Sequence, residues 1–168
     1  MHCSLFIRLL SAMTIAASLA GCTEKQMRQE SPSMEPTIKR GEVIIVDLDA
    51  YSQSAPNRWD VVVFDSPLGD GGCWASRVVG LPGETLDIRS GKIVVNGREE
   101  SQPTRLTIGN YLLPKSGLTS GTPAPVALPF TIPSGSFFVL GDNVSNALDS
   151  RYWGSLDRSK IIGKVSVK

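Results

Sequence analysis

The chain has 168 residues, 41% of them hydrophobic, with 17 Lys and Arg against 16 Asp and Glu. That balance, with no basic run, excludes the electrostatic footprint of a nucleic-acid-binding protein. Three cysteines, two of them in the first 22 residues, exclude a disulfide framework, and the composition implies no cofactor and no metal.

Residues 1–21 read as a lipoprotein signal peptide and not as a fold element. Arg8 supplies a short positive start, Leu9 to Ala20 are apolar or small, and Leu19-Ala20-Gly21-Cys22 resembles a lipobox. Cleavage before Cys22 and acylation of its sulfur are expected. Cleavage after Ala20 is the alternative, because Ser18 and Ala20 also fit a small-x-small site. The apolar stretch is shorter than the roughly 20 residues a membrane span needs, so a lipid on Cys22 would hold the protein at a membrane without crossing it. Losing residues 1–21 leaves 147 residues, enough for one domain with its own core, and removes Arg8, so the charges cancel. Cys73 is then without a partner. With no histidine beyond His2 to activate it, it is expected to be a small buried apolar side chain.

Residues 22–30 are polar and aperiodic and read as a tether, followed by one domain over residues 31–168. Nothing in that domain looks helical. Runs rich in Val, Ile and Phe recur between Gly and Pro: Glu42 to Asp47, Trp59 to Asp65, Trp74 to Val79, Thr85 to Ile88, Lys92 to Val95, Ser136 to Leu140 and Ile161 to Val167. This pattern predicts a mostly β domain of antiparallel strands. A hairpin is expected about Ser90-Gly91, and Pro82-Gly83 suits a type II turn. Residues 101–135 are rich in proline and poor in apolar runs, and predict a long irregular excursion; Leu112-Leu113, Val126 and Phe130 favour partial packing, and the alternative is a flexible linker.

Three stretches carry chemistry. They are Ser31-Pro-Ser33-Met-Glu-Pro-Thr37, Arg77-Val-Val-Gly-Leu-Pro-Gly-Glu84, and Gly141-Asp-Asn143 continuing through Asp149-Ser-Arg-Tyr-Trp-Gly154. Pro32 and Pro36 restrict the backbone around Ser33 just before a strand, which displays its hydroxyl at the rim of a sheet. A serine hydroxyl is a weak nucleophile near neutral pH and needs a base beside it. In order and spacing the three stretches resemble the signature boxes of the type I signal peptidases, and the resemblance covers most of the mature chain.

The resemblance implies a signal-peptidase-type antiparallel β domain with a small irregular insertion at about 101–135. It also implies catalysis by Ser33 as nucleophile, with Ser31 and the Ser33 backbone N–H forming the oxyanion hole. The family's general base is a lysine immediately before the Arg of the second box, and here that position is Ser76. A serine hydroxyl is no stronger a base than the group it would have to activate. Ala147 stands where the family usually has a serine that holds the lysine amine, so base and orienter are both missing, and Val144-Ser145 also departs from the usual pair. Asp142, Asn143, Asp149 and Arg151 are implied to support the floor of the site. Lys39, Lys92, Lys160 and Lys164 are the lysines weighed as a relocated base, and Trp59, Trp74, Trp153 and Phe64 read as core or rim aromatics.

The expected function is thus a serine endopeptidase for signal peptides of exported proteins, with the base removed. Its rival is a non-catalytic lipoprotein binding extended peptides or secretion partners in the same groove. Either would act in the bacterial cell envelope on the extracytoplasmic side, held to the membrane through lipid on Cys22, with signal peptides as partners and no nucleic acid.

Overall fold

A computed structural model describes residues 23–102 and 124–166. In chain order the elements are β1 (Glu24–Arg28), β2 (Val43–Asp47), β3 (Val61–Asp65), β4 (Cys73–Gly80), β5 (Thr85–Arg89), β6 (Lys92–Val95), β7 (Arg98–Glu99), β8 (Phe130–Thr131), β9 (Ser136–Leu140), α1 (Ser150–Trp153), β10 (Leu156–Asp157), a 3₁₀ turn (Arg158–Lys160) and β11 (Ile161–Val165). They form a seven-stranded sheet in the order β1-β2-β11-β3-β4-β9-β10 and a four-stranded sheet in the order β7-β6-β5-β8. Every strand pair is antiparallel.

The central strand β3 reads Val-Val-Val-Phe-Asp, and its first four residues are all buried. Both its faces are covered. Val61 and Val63 join Met34, Ile38, Ile44, Val46 and Ala75 in one cluster. Val62 and Phe64 join Val78, Phe137, Val139 and Leu156 in another. An unbroken apolar run is what a strand with no solvent face requires, and each such side chain contributes about 1.5–3 kcal/mol by leaving water. A third cluster joins Leu86, Ile88, Ile93 and Val95 of the smaller sheet to Phe138 and Leu140 of β9. It forms where Gly80 ends β4: a Cβ there would collide with Ile132 and stand 3.0 Å from Leu86 Cδ1, so these side chains close over the β4 backbone only because Gly80 has none.

Two tight hairpins build the smaller sheet. Arg89 faces Lys92 across Ser90-Gly91, with both turn residues at positive φ, and Val95 faces Arg98 across Asn96-Gly97 in the same way. The first turn is the one the sequence predicts. The second carries the Asn-Gly signal and joins a two-residue strand to β6. Gly83, at φ 81°, closes the Leu81–Glu84 turn as position i+2 of a type II turn demands.

Two expectations are corrected. The polar stretch read as a tether over residues 22–30 is instead, over Glu24–Arg28, an edge strand paired residue for residue with β2 from Glu24↔Asp47 to Arg28↔Val43. Main-chain hydrogen bonds hold it, and an edge strand with polar side chains has no apolar alternation to betray it. The described residues also include an α-helical turn, Ser150–Trp153, too short for a helical period and fixed by the side chain of Asp149 accepting from Arg151 N. Within 101–135, the partial packing expected of Val126 and Phe130 is found over residues 124–135: both pack against the third cluster, Val126 N donates to the Arg151 carbonyl, β8 pairs with β5, and Ile132 is buried. Leu112-Leu113 lie outside the described residues.

Candidate functional site

The first motif is a folded turn pinned to the core. Gln29 N donates to Glu42 O and Gly41 N to Gln29 O, at 2.9 and 2.7 Å, which fixes the chain where it leaves β1. Glu35 N then reaches Pro32 O at 3.1 Å and Ile38 N reaches Met34 O at 2.9 Å. Met34 and Ile38 are buried, so the two apolar residues of the motif anchor the turn while Ser33 stays at the rim. The hydroxyls of Ser31 and Ser33 lie 2.8 Å apart, and Ser33 N reaches Ser31 Oγ at 3.4 Å.

The third motif clamps this turn from the far side. Asn143 N donates to Ser33 O at 2.9 Å and Asn143 Nδ2 to Pro32 O at 3.0 Å. Asp142 is buried and receives two hydrogen bonds from Arg77, Nε to Oδ1 at 2.9 Å and Nη2 to Oδ2 at 2.6 Å, while Thr37 Oγ1 donates to the same carboxylate. Arg77 Nη1 donates to Trp59 O at 2.8 Å. First, second and third motifs therefore meet on one buried carboxylate, in the planar two-pronged geometry that makes a guanidinium pair directional.

A second buried pair lies behind it. Arg151 holds Asp149 through Nε at 2.8 Å and Nη2 at 2.7 Å, and Nη2 also donates to Val144 O at 3.0 Å. Asp149 Oδ2 accepts from Gly141 N at 3.0 Å. Gly141 itself must lack a side chain: a Cβ would stand 2.7 Å from Ser33 O and collide with Ala147. The loop carrying Asp142 and Asn143 can approach Ser33 this closely because of that glycine.

In front of Ser33 opens a cleft of about 510 Å³, walled by Arg28 to Glu30 at the end of β1 and just after it, Ser31 and Ser33 of the first motif, Gly72 to Ser76 from β4 and the turn before it, and Asn146 to Leu148. Ser76 reaches this cleft and is 5% exposed, and Ala147 lines the same wall. Neither lysine nor histidine lines it among the described residues. Lys39 is exposed, Lys92 pairs with Glu99 at 2.6 Å and Lys164 with Asp60 at 2.7 Å, while Lys160 is exposed in the 3₁₀ turn. The fold gathers Ser31, Ser33, Ser76 and Ala147 around one cleft and stacks Asp142, Asn143, Asp149 and Arg151 beneath it. Among the described residues it brings no ammonium to them.

Cys73 departs from expectation: it is exposed and lines the cleft. It is the first residue of β4, opposite Asp65, beyond the covered centre of the sheet. Phe64 is fully buried and packs against Trp153 at 6.0 Å, whereas Trp74 lies half-buried on the cleft wall. Sequence reasoning missed three groups of the site. Arg77 and Thr37 lie inside the quoted motifs and could have been named as the cations and donors available to Asp142. Gln29, which contacts both serine hydroxyls, sits in a polar stretch with nothing to mark it.

Comparison with known proteins places these features in a family. The pattern of the signal peptidases, peptidase S26, matches residues 3–168. Signal peptidase I of Leptolyngbya laminosa is 32% identical over 147 residues, 82% of this chain, and the chain spans 64% of that relative's length. Signal peptidase IB of Staphylococcus aureus is 33% identical over 143 residues, covering 81% of this chain and 72% of the relative. A crystal structure of a signal peptidase I from Enterococcus faecalis V583 aligns with a TM-score of 0.51 at 30% identity, over 67% of this chain and 98% of that one. The mostly antiparallel β fold is that of signal peptidase I, and the chain belongs to the signal peptidase family, peptidase S26.

Proposed function

We propose that this protein takes signal peptides of exported proteins as extended segments along the Ser33 cleft, on the extracytoplasmic face of a bacterial membrane. In this reading it is a serine endopeptidase in which proton transfer, and not substrate or nucleophile placement, has been lost. The observation that carries it is the pair of hydroxyls of Ser31 and Ser33, 2.8 Å apart, on a cleft whose described lining contains neither lysine nor histidine. Ser33 Oγ is the attacking atom. The carbonyl oxygen that becomes negative is met by Ser31 O–H and Ser33 N–H, an arrangement worth several kcal/mol in a preorganised site. What is missing is the acceptor for the Ser33 proton, a contribution typically of about 10²–10⁴-fold in rate.

Two walls of the cleft come from Gln29 to Ser31 and from the start of β4, and an extended peptide between them can add main-chain hydrogen bonds as a further strand does. Family membership supports a signal peptide as the occupant. The absent base favours a second reading, a peptide-binding protein with no turnover. Titration of a labelled Ala-x-Ala signal peptide against the purified domain, followed by mass analysis of the peptide, separates them. Saturable binding with slow cleavage lost in Ser33→Ala supports the first reading, and binding without any cleavage the second. No binding at millimolar peptide, roughly −4 kcal/mol or weaker, overturns both.

Attachment follows from Cys22. Because β1 begins at Glu24 and Thr23 O already accepts from Leu48 N at 3.0 Å, a lipid on Cys22 would hold the edge of the sheet directly against the membrane with almost no spacer. Mass spectrometry of the protein from its native membrane checks this. An N-terminus at Gly21 or an unmodified Cys22 defeats it.

A further inference from the structure

Gln29 is 6% exposed, lines the cleft, and sends its carboxamide to both hydroxyls of the first motif. Nε2 lies 3.0 Å from Ser31 O, 3.3 Å from Ser31 Oγ and 3.3 Å from Ser33 Oγ. The shortest of these contacts settles which end of the amide faces the serines. A main-chain carbonyl only accepts, so turning the carboxamide over would set two lone-pair oxygens against each other at 3.0 Å. With one N–H given to Ser31 O, the other lies between the two hydroxyl oxygens. Ser33 Oγ is therefore an acceptor from Gln29, and it shares a hydrogen bond of 2.8 Å with Ser31 Oγ in which either hydroxyl can donate.

We propose that Gln29 is a catalytic residue of this protein, a neutral donor that stabilises the Ser33 alkoxide in place of a base that removes its proton. Hydrogen bonds to the charged form favour that form, and donors to an anion are stronger than donors to a neutral oxygen. The inference rests on the reading of Ser33 as nucleophile. The step balances with water alone. Hydroxide takes the Ser33 proton and becomes water, and the alkoxide bonds to the scissile carbonyl carbon while the carbonyl electron pair moves to oxygen. Collapse of that oxyanion expels the amine, which takes a proton from water and so returns the hydroxide. A second water then hydrolyses the ester and restores the Ser33 hydroxyl. Among the described residues, the other residues with ionisable side chains that line the cleft are Arg28 and Glu30 from the same segment and Cys73 from β4.

The test uses a fluorophosphonate, which Ser33 Oγ attacks with loss of fluoride, so it needs no peptide binding. Labelling of Ser33 is followed by mass spectrometry from about pH 6 to 10 in the natural chain and in Gln29→Leu and Gln29→Met, which keep the volume and remove the donor. The natural chain should label with a rate rising about tenfold per pH unit and no plateau, because hydroxide is the proton acceptor. Both variants should keep that slope and fall about 10–100-fold at every pH, with unchanged thermal melting. Labelling of both folded variants at the natural rate overturns the role of Gln29, as does a plateau in the natural chain, which would reveal a titrating base. If one variant melts early, the other decides. Absence of Ser33 labelling at any pH sinks the nucleophile reading itself, whereas failure of the peptide titration alone leaves this inference standing.

Discussion

The floor of the site and its proton-transfer corner are built by opposite rules. On the floor, every charge found a partner: Asp142 takes Arg77 and Thr37, Asp149 takes Arg151 and a main-chain N–H, and Asn143 is spent on the carbonyls of Pro32 and Ser33. At the corner, the cleft is lined by Ser76 and Ala147, neither of which carries an ionisable side chain. The contrast separates two requirements that a working peptidase meets together. Holding Ser33 in place requires buried charge that is fully paired, and that network is indifferent to whether a base stands opposite. Moving a proton requires one ionisable group in the right place, and under the proposed reading its absence leaves the paired network beneath Ser33 intact.

The strongest way to break the contrast is to rebuild the corner. Ser76→Lys with Ala147→Ser puts an amine at a site that is 5% exposed, where burial lowers the pKa of a lysine and leaves some of it neutral near neutral pH. Signal-peptide cleavage should rise about 10²–10⁴-fold over the natural chain, and Ser33→Ala in the rebuilt protein should abolish the gain. A natural chain that already turns over at such a rate, with no increase from Ser76→Lys, would place the base elsewhere.

Attack on the floor should cost stability instead. Asp142→Ala leaves the Arg77 guanidinium buried without its carboxylate and should destabilise the protein by about 3–5 kcal/mol in chemical denaturation. The same substitution added to the protein that carries Ser76→Lys and Ala147→Ser should cost a similar amount, which tests whether floor and corner are independent. A loss below about 1 kcal/mol would mean that water reaches the pair.

The smallest expected effect lies away from the cleft and sharpens the contrast by showing what a buried titrating group does to the fold. Burial, and then the neighbouring Asp60 that accepts its O–H at 3.0 Å, push the Tyr51 phenol well above its ordinary value. A group raised in this way contributes stability that is fully present below its unfolded pKa, near about 10, and is lost as pH climbs from there toward the folded value. Tyr51→Phe should flatten the loss of thermal stability above about pH 10 and change little near neutral pH beyond the one hydrogen bond. An alkaline melting curve identical in the two proteins would remove Tyr51 as its cause.

How much of this was legible depended on whether a residue's neighbours lie beside it in sequence. The strands expected from Glu42 to Asp47 through Ile161 to Val167 all correspond to strands of the fold, because alternation, β-branched runs and Gly or Pro boundaries are local. The Ser33 turn and the loop of Asp142 and Asn143 were visible as motifs for the same reason. The edge strand β1 was not, since its pairing with β2 is carried by main-chain atoms that every residue shares. Cys73 was expected in the core and is exposed, because burial along β4 depends on where the covering layers end, which no local pattern records.

By itself the sequence determined the β class, the order of the three motifs and the absence of lysine at position 76, since each of these is a property of residue identity and spacing. The tertiary structure alone decided that Arg77 answers Asp142 across 65 positions, that no lysine of the described residues swings into the cleft, and that Gln29 reaches both serines. The reason is physical: hydrogen bonds and ion pairs act over about 3 Å, so which groups share a site is fixed by how the sheets pack and not by how far apart the residues stand along the chain.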